Sequence, residues 1–514
     1  MEYKVSKFSL PNLCNSFSNE HVSPVSLEND RHIKYLFGYL QELHCKTIIV
    51  EKVYVDGDYL DDFSKYYVKC FRPYDRFCKR IHFFSQEFDQ KYFNQLAKGE
   101  LIESKERQLL ETYIGFAVAK PLPETVIGRT VLVTYPPDNF RRYFPSIRTY
   151  HAHLLGLCFC LKSLAFQEQD TVVAACATTA LWSALQKTAE LFGTEAPSPS
   201  RVTEYATSHF VTSRPIPSHG LNVNQICQAI REVGLEPEVF PITGRIPVTS
   251  LTYSYLKAGL PVIFGLDIKH EGKHAVTVAG YSLENKKLQD REVHKDYKSI
   301  SFKGLYVSKF YVHDDQIGPF SRLHICPGQT VRRGTVSVKV PVRFTGSWLD
   351  KAGRPLYMDP LVLIIPIYHK IRLNFLDVIK KVNRIEEFFE SIGWVAPSGP
   401  LKLEWDIYLT NVSSFKMELA SIRQNSPAAR TLIDDFHPRF IWRVRCFHDK
   451  LPLFEILADA TDMARSFFFY RFWYLYKPFQ SWIASLIQTQ HGRILVERYL
   501  SSKFLDLLKN GLGD

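Results

Sequence analysis

A cysteine and a histidine ninety-eight positions apart carry the chemistry this sequence offers. Cys176 opens the stretch CATTALWSALQKTAELFG, whose apolar residues Ala177, Ala180, Leu181, Ala184 and Leu185 recur at the spacing of one helix face, with Gly193 as the stop. A thiol at a helix start lies at the positive end of the helix dipole, which favours the nucleophilic thiolate. His274 opens HAVTVAGY, an expected strand, so its ring stands at the mouth of a strand rather than in its middle. An imidazole there could hold the thiol's proton and later pass it to a leaving group. Taken singly, each residue has a blander fate, a buried apolar cysteine or a satisfied polar histidine. It is the pair that points to catalysis.

These residues resemble papain-like cysteine peptidases, and most of all the bacterial branch typified by double-glycine leader peptidases. In that group a glutamine precedes a cysteine at a helix start, an HAVxVxGY-type strand carries the histidine, and an aspartate ends the next strand. The corresponding segments here are QEQDTVVAAC, HAVTVAGY and GLYVSKFYVHDDQIGPF, and the resemblance covers about residues 150–330. It implies a fold in which a helical half packs on an antiparallel sheet, with Cys176 as nucleophile and His274 as its acid–base partner. Asp314 would orient the imidazole, and Gln169 would donate to the oxyanion beside the Cys176 backbone N–H. Asp315 is the rival to Asp314, and the pair could equally serve as turn formers before Gly318-Pro319. Gln167 is the rival to Gln169. Two features depart from the family: Ala177 follows the cysteine where glycine is common, and forty residues separate His274 from Asp314. The charged segment ENKKLQDREVHKDYKSISFKG fills much of that gap and reads as an inserted hairpin or loop over the site.

With 514 residues the chain is too long for one core, so two or three domains are expected in an α+β protein. Residues 1–150 read as a mixed recognition or assembly domain, 151–330 as the peptidase domain, and 331–514 as a mildly basic α/β domain. In the first, helices are expected at Asp30–His44, Asp89–Ala97 and Ser104–Tyr113, and strands at Lys46–Tyr54 and Tyr66–Cys70. In the last, FLDVIKKVNRIEEFFESI is an amphipathic helix, PRFIWRVRCFHD a strand that LFEILADATDM carries into a turn, and LYMDPLVLIIPIYHKI a buried strand. The segment SFFFYRFWYLYKPF reads as core packing in preference to membrane contact.

The formal charge is +11, and residues 331–514 hold most of it, with 26 Lys and Arg against 18 Asp and Glu. The charges are interspersed, so a solvated surface is favoured over a nucleic-acid face, and a protein substrate or partner is expected. The start, MEYKVSKFSLPNLCNS, lacks an apolar core of signal-peptide length, and no uncharged apolar run reaches about eighteen residues. Ten cysteines without a CxxC pair suit a reducing, cytoplasmic setting. Cys158 and Cys160 alternate in HLLGLCFCLKSLAF near His151 and His153; a metal site is conceivable, but two small residues in a core strand is the expected reading. No Walker loop, Rossmann fingerprint, HExxH or internal repeat occurs, and no cofactor is expected.

Overall fold

The computed structural model describes residues 2–512 except 140, 171, 174, 210–219, 244–245, 286–299, 334–335, 393–394, 397–398, 401, 423, 425–426 and 464–466. The charged segment noted between His274 and Asp314 lies largely outside the described residues.

Five strands, β1 (Tyr3–Lys7), β2 (Thr47–Tyr54), β3 (Cys78–Phe84), β4 (Tyr113–Ala119) and β5 (Ile127–Leu132), pair antiparallel in chain order. Both faces are covered, which is why β4 is apolar throughout. Helices Leu10–Phe17 and Arg31–Glu42 pack against Ile48, Val50, Ile81 and Phe83, and helices Gly57–Lys65 and Gln90–Ala97 against Ile49, Phe84 and Phe116. The expected strand at Tyr66–Cys70 is instead a 3₁₀ turn, Tyr67–Lys69, following directly on a helix. Its aromatic character serves burial rather than pairing: Tyr67 turns inward and its hydroxyl donates to Asp170 Oδ2 at 3.0 Å.

The second sheet is built from β6 (Arg142–Tyr143), β9 (Glu236–Pro241), β10 (Val262–Ile268), β11 (Gly272–Leu283), β12 (Val307–Asp314), β13 (Gly318–Arg333), β14 (Val336–Thr345) and β15 (Met358–Ile367), while β7 (Arg148–Leu154) and β8 (Leu157–Ser163) form a separate hairpin. Strands β10 to β15 are antiparallel neighbours in order, and β15 returns to pair with β10, closing a barrel. Closure is thin at one seam, where β14 meets β15 only at Phe344↔Met358 and β9 takes over the rest of that edge. Alternation along the strands sorts the side chains. Phe264, Val276, Val278, Phe310, Val312 and Phe344 join one apolar core, while Ile263, Ala275 and Ile364 pack with Leu181, Trp182 and Leu185 of the Cys176–Phe192 helix. The boundary read at residue 330 falls inside β13. The run LVLIIPI beyond it is a barrel strand because both of its edges are paired.

A four-stranded antiparallel sheet follows, Leu403–Asn411, Phe440–His448, Leu451–Asp459 and Phe469–Tyr474 in order. The LFEILAD run continues as a strand, where the sequence suggested a turn. Helices Phe375–Ile392, Lys477–Gln488 and Ser502–Leu512 cover one face, and the aromatic segment lies largely in this core. No described helix is long and apolar enough to cross a membrane.

Candidate active site

The Cys176–Phe192 helix starts abruptly. Ala175 has extended backbone (φ −78°, ψ 172°) and offers no capping side chain, so the N–H groups of the first turn have no local acceptor from a cap. Cys176 is its first residue and half-buried, and the helix body is held against the barrel by Leu181 and Trp182 and by a hydrogen bond from Thr277 Oγ1 of β11 to Ala180 O. His274 lies near the start of β11, opposite Leu266 of β10. Asp314 is the last residue of β12, the strand paired with β11. Helix start, strand mouth and strand end therefore meet at one edge of the barrel.

There the imidazole is held by a carboxylate. His274 Nε2 lies 2.9 Å from Asp314 Oδ1, and the Cys176 side chain stands near enough to the ring to favour its charged form. With Nε2 engaged, Nδ1 is the nitrogen left to face the sulfur. Burial by itself would lower the imidazole pKa, but the Asp314 carboxylate, its hydrogen bond, the Cys176 contact and the nearby Asp315 hold it well above 6.5. Asp314 is fully buried. Burial would raise its carboxyl, yet His274, the indole N–H of Trp348 (2.8 Å to Oδ2) and the backbone N–H of Gln316 (3.1 Å to Oδ1) bring it below the usual value. Trp348 also sets its ring edge-on to His274, centroids 5.2 Å apart, and so walls the ion pair from solvent. Nothing in the sequence singled out this tryptophan. It sits in the β14–β15 connection, and only the folded barrel places it here.

Asp315 behaves differently. It is buried, neither carboxylate oxygen receives a hydrogen bond from another described residue, and Oδ1 is 3.6 Å from His274 Nε2. Burial, with the Asp314 charge added and His274 opposing, pushes its carboxyl up to about 7. The two adjacent aspartates thus separate into a satisfied partner and an unsatisfied neighbour. Potential ligand atoms of His274, Asp314 and Asp315 all lie within 4.8 Å of one another, the donor set a divalent cation would need. The hydrogen bonds from His274 and Trp348 already occupy the Asp314 oxygens.

The N-terminal domain braces this corner. Gly318 (φ +155°) opens β13, and a Cβ there would fall 2.1 Å from the Tyr35 ring, so the helix Arg31–Glu42 can dock against the turn only because that residue is glycine. From that helix, Tyr35 Oη donates to Pro319 O (3.0 Å), His32 Nε2 lies 3.0 Å from Asp315 O, and the Arg31 guanidinium stands over Trp348. Glu168 closes the circuit, with Oε1 3.1 Å from His32 Nδ1 and Oε2 accepting from Ile127 N of β5. The same β5 pairs Thr130 with Phe166, which fixes the segment holding both candidate glutamines. Gln169 is half-buried and makes no side-chain hydrogen bond among the described residues, leaving its amide free. Gln167 is buried and faces a cavity of about 10 Å³ with Thr179, Ser183 and Asp315. Cys176, His274 and Asp314 are thus brought together, while the glutamines divide between a free and an enclosed position.

Compared with known proteins, the sequence matches no family model and no curated protein.

Proposed function

We propose that this chain is a cysteine peptidase of papain-like arrangement, in which Cys176, His274 and Asp314 cleave a peptide bond of a protein substrate through an acyl-enzyme. The observation that carries the reading is the 2.9 Å contact between His274 Nε2 and the buried Asp314 carboxylate, with the Cys176 side chain close enough to influence the same ring. His274 takes the proton of Cys176. The sulfur then attacks the substrate carbonyl carbon, and the carbonyl electrons move onto oxygen. That oxyanion falls beside the backbone N–H of Cys176 at the helix start, with the free Gln169 amide as the second donor. Collapse expels the amine, which takes the proton from His274, and leaves a thioester. Water, deprotonated by the same imidazole, attacks the thioester and releases the acid and the thiol. Asp314 keeps the ring in one tautomer throughout, and Trp348 keeps water off their hydrogen bond. A helix laid on an antiparallel barrel, with the nucleophile on one and the base on the other, supports the papain-like assignment.

The experiment is to express wild-type and Cys176→Ala protein, label new protein N-termini in each, and identify fragments by mass spectrometry. Fragments present only with the wild type, together with labelling of Cys176 by an electrophilic probe, are expected. A partner gaining about one dalton without cleavage would instead redirect the same thiol chemistry to deamidation. If Cys176 stays unlabelled at neutral pH and no fragments form, the proposal fails.

A further inference from the structure

The hairpin β7–β8 presents a second chemistry on its outer face. Its two-residue turn, Leu155-Gly156, has positive φ at both positions (+50° and +87°), the signature of a type I′ hairpin, and this locks the register. Leu154 pairs with Leu157, His153 with Cys158, Ala152 with Phe159, and His151 with Cys160. Strand alternation then sends Ala152, Leu154, Leu157, Phe159 and Leu161 inward, where all are buried. His151, His153, Cys158 and Cys160 are left together on the exposed face. The expectation that the two cysteines fill a core strand is therefore corrected. The residues between them do that, and the thiols face solvent.

The turn also decides how close the four residues stand. Counting from the closing pair Leu154–Leu157, hydrogen-bonded and non-hydrogen-bonded pairs alternate, so both His–Cys pairs occupy non-hydrogen-bonded sites. There opposing Cα atoms are about 4.5 Å apart, the closest approach an antiparallel ladder allows. One diagonal is already drawn in, with Cys158 Sγ 3.9 Å from His151 Nδ1. In a tetrahedral zinc centre with Zn–S about 2.3 Å and Zn–N about 2.0–2.1 Å, the S···N edge is about 3.6 Å. The other ligand atoms stand farther apart, and closing the set calls on rotation of these exposed side chains, a motion of about picoseconds to nanoseconds. The hairpin itself is firmly seated. Thr149 N donates to Glu190 Oε1 (3.2 Å), and Arg148 Nη1 to Gln186 O (3.0 Å), both acceptors on the Cys176–Phe192 helix.

We propose that His151, His153, Cys158 and Cys160 form a binding site for Zn²⁺, separate from the Cys176 centre. Two imidazoles and two thiolates on a preformed ladder match the ion's preference for four N and S ligands, and harder cations such as Mg²⁺ or Ca²⁺ find no oxygen donor among these four side chains. Binding would release the thiol protons, so affinity should rise with pH.

The test uses the full chain, stripped with a chelator, kept reduced and titrated with Co²⁺ as a spectroscopic stand-in. About one Co²⁺ per chain is expected, with a thiolate-to-metal absorption band in the near ultraviolet that an equivalent of Zn²⁺ abolishes. In Cys158→Ser/Cys160→Ser the band should vanish. In His151→Gln/His153→Gln, binding should weaken at least about tenfold. Independently of any variant, Zn²⁺ should protect Cys158 and Cys160 of the wild type from alkylation while Cys326 still reacts. A band that survives the double serine variant, unchanged affinity in the glutamine variant, or no protection of Cys158 and Cys160 would overturn the site.

Discussion

Replacing Asp315 by asparagine tests the electrostatics of the corner around Cys176, His274 and Asp314 most directly. The carboxyl is pushed up to about 7, against an ordinary value of 3.8, because burial and the neighbouring Asp314 disfavour its charge more than His274 favours it. A folded-state value above the unfolded one means that the folded protein binds this proton more tightly. The group therefore costs nothing below about pH 4, an increasing amount as pH rises from about 4 to 7, and a constant amount above that. At about 1.4 kcal/mol per unit, the cost is about 2 kcal/mol at pH 5 and about 4 kcal/mol at pH 8. Asparagine keeps the shape and never ionises. Its buried amide still lacks partners, a penalty of about 1–3 kcal/mol, but that penalty is the same at both pH values and cancels from the comparison. Urea unfolding, followed by tryptophan fluorescence, should show Asp315→Asn gaining about 3 kcal/mol on the wild type between pH 5 and pH 8, the difference of the two costs before rounding. An offset that is equal at the two pH values, or that moves the other way, refutes the assignment of Asp315 as the strained neighbour rather than the histidine's partner.

Asp314→Asn removes the charge that holds His274 protonated, so the acid limb of the iodoacetamide–Cys176 rate profile should move upward by about one to three pH units; an unmoved limb would take Asp314 out of the proposed triad. Trp348→Phe keeps the apolar wall but withdraws the N–H from Asp314 Oδ2, a bond to a charged group worth about 1.5–3 kcal/mol, and should slow Cys176 alkylation at pH 6 with little change in overall secondary structure by circular dichroism. Once a substrate is found, Gln169→Ala should cost about 10²–10³ in kcat with KM little changed, whereas Gln167→Ala should show chiefly in stability; the reverse pattern exchanges their roles. In the C-terminal sheet, Arg443→Met withdraws one of the two guanidinium partners of the fully buried Glu455, to which Arg443 Nη2 donates at 3.0 Å and Arg445 Nε at 2.8 Å, and should destabilise by about 1.5–3 kcal/mol in urea unfolding.

The local elements were legible where one periodicity dominated. The Cys176 helix, the His274 strand and the Phe375–Ile392 helix follow from spacings of 3.6 or 2 that burial imposes on any chain. Short aromatic or mixed runs misled: Tyr66–Cys70 has strand-like residues but no strand beside it, and Cys158–Cys160 alternate as a core strand would while lying on the solvent side. In both, side-chain type announced a half-buried surface, and which side was buried depended on a neighbour remote in sequence. The boundary read at 330 falls inside β13 for a related reason. A closing barrel strand carries no local mark of which sheet it will join.

By itself, then, the sequence determined the candidate groups and their local settings: a thiol at a helix start, an imidazole at a strand mouth, and a pair of aspartates at a strand end. Tertiary structure alone chose between Asp314 and Asp315, because only packing decides which carboxylate receives the hydrogen bonds of His274 and Trp348 and which is buried without them. It also enlisted Trp348, Gly318 and the helix Arg31–Glu42, whose roles come from closing a barrel and docking a second domain on its turn. Such contacts join residues up to 317 positions apart, and their energies belong to the assembled interior, where solvent is excluded, rather than to any segment of the chain.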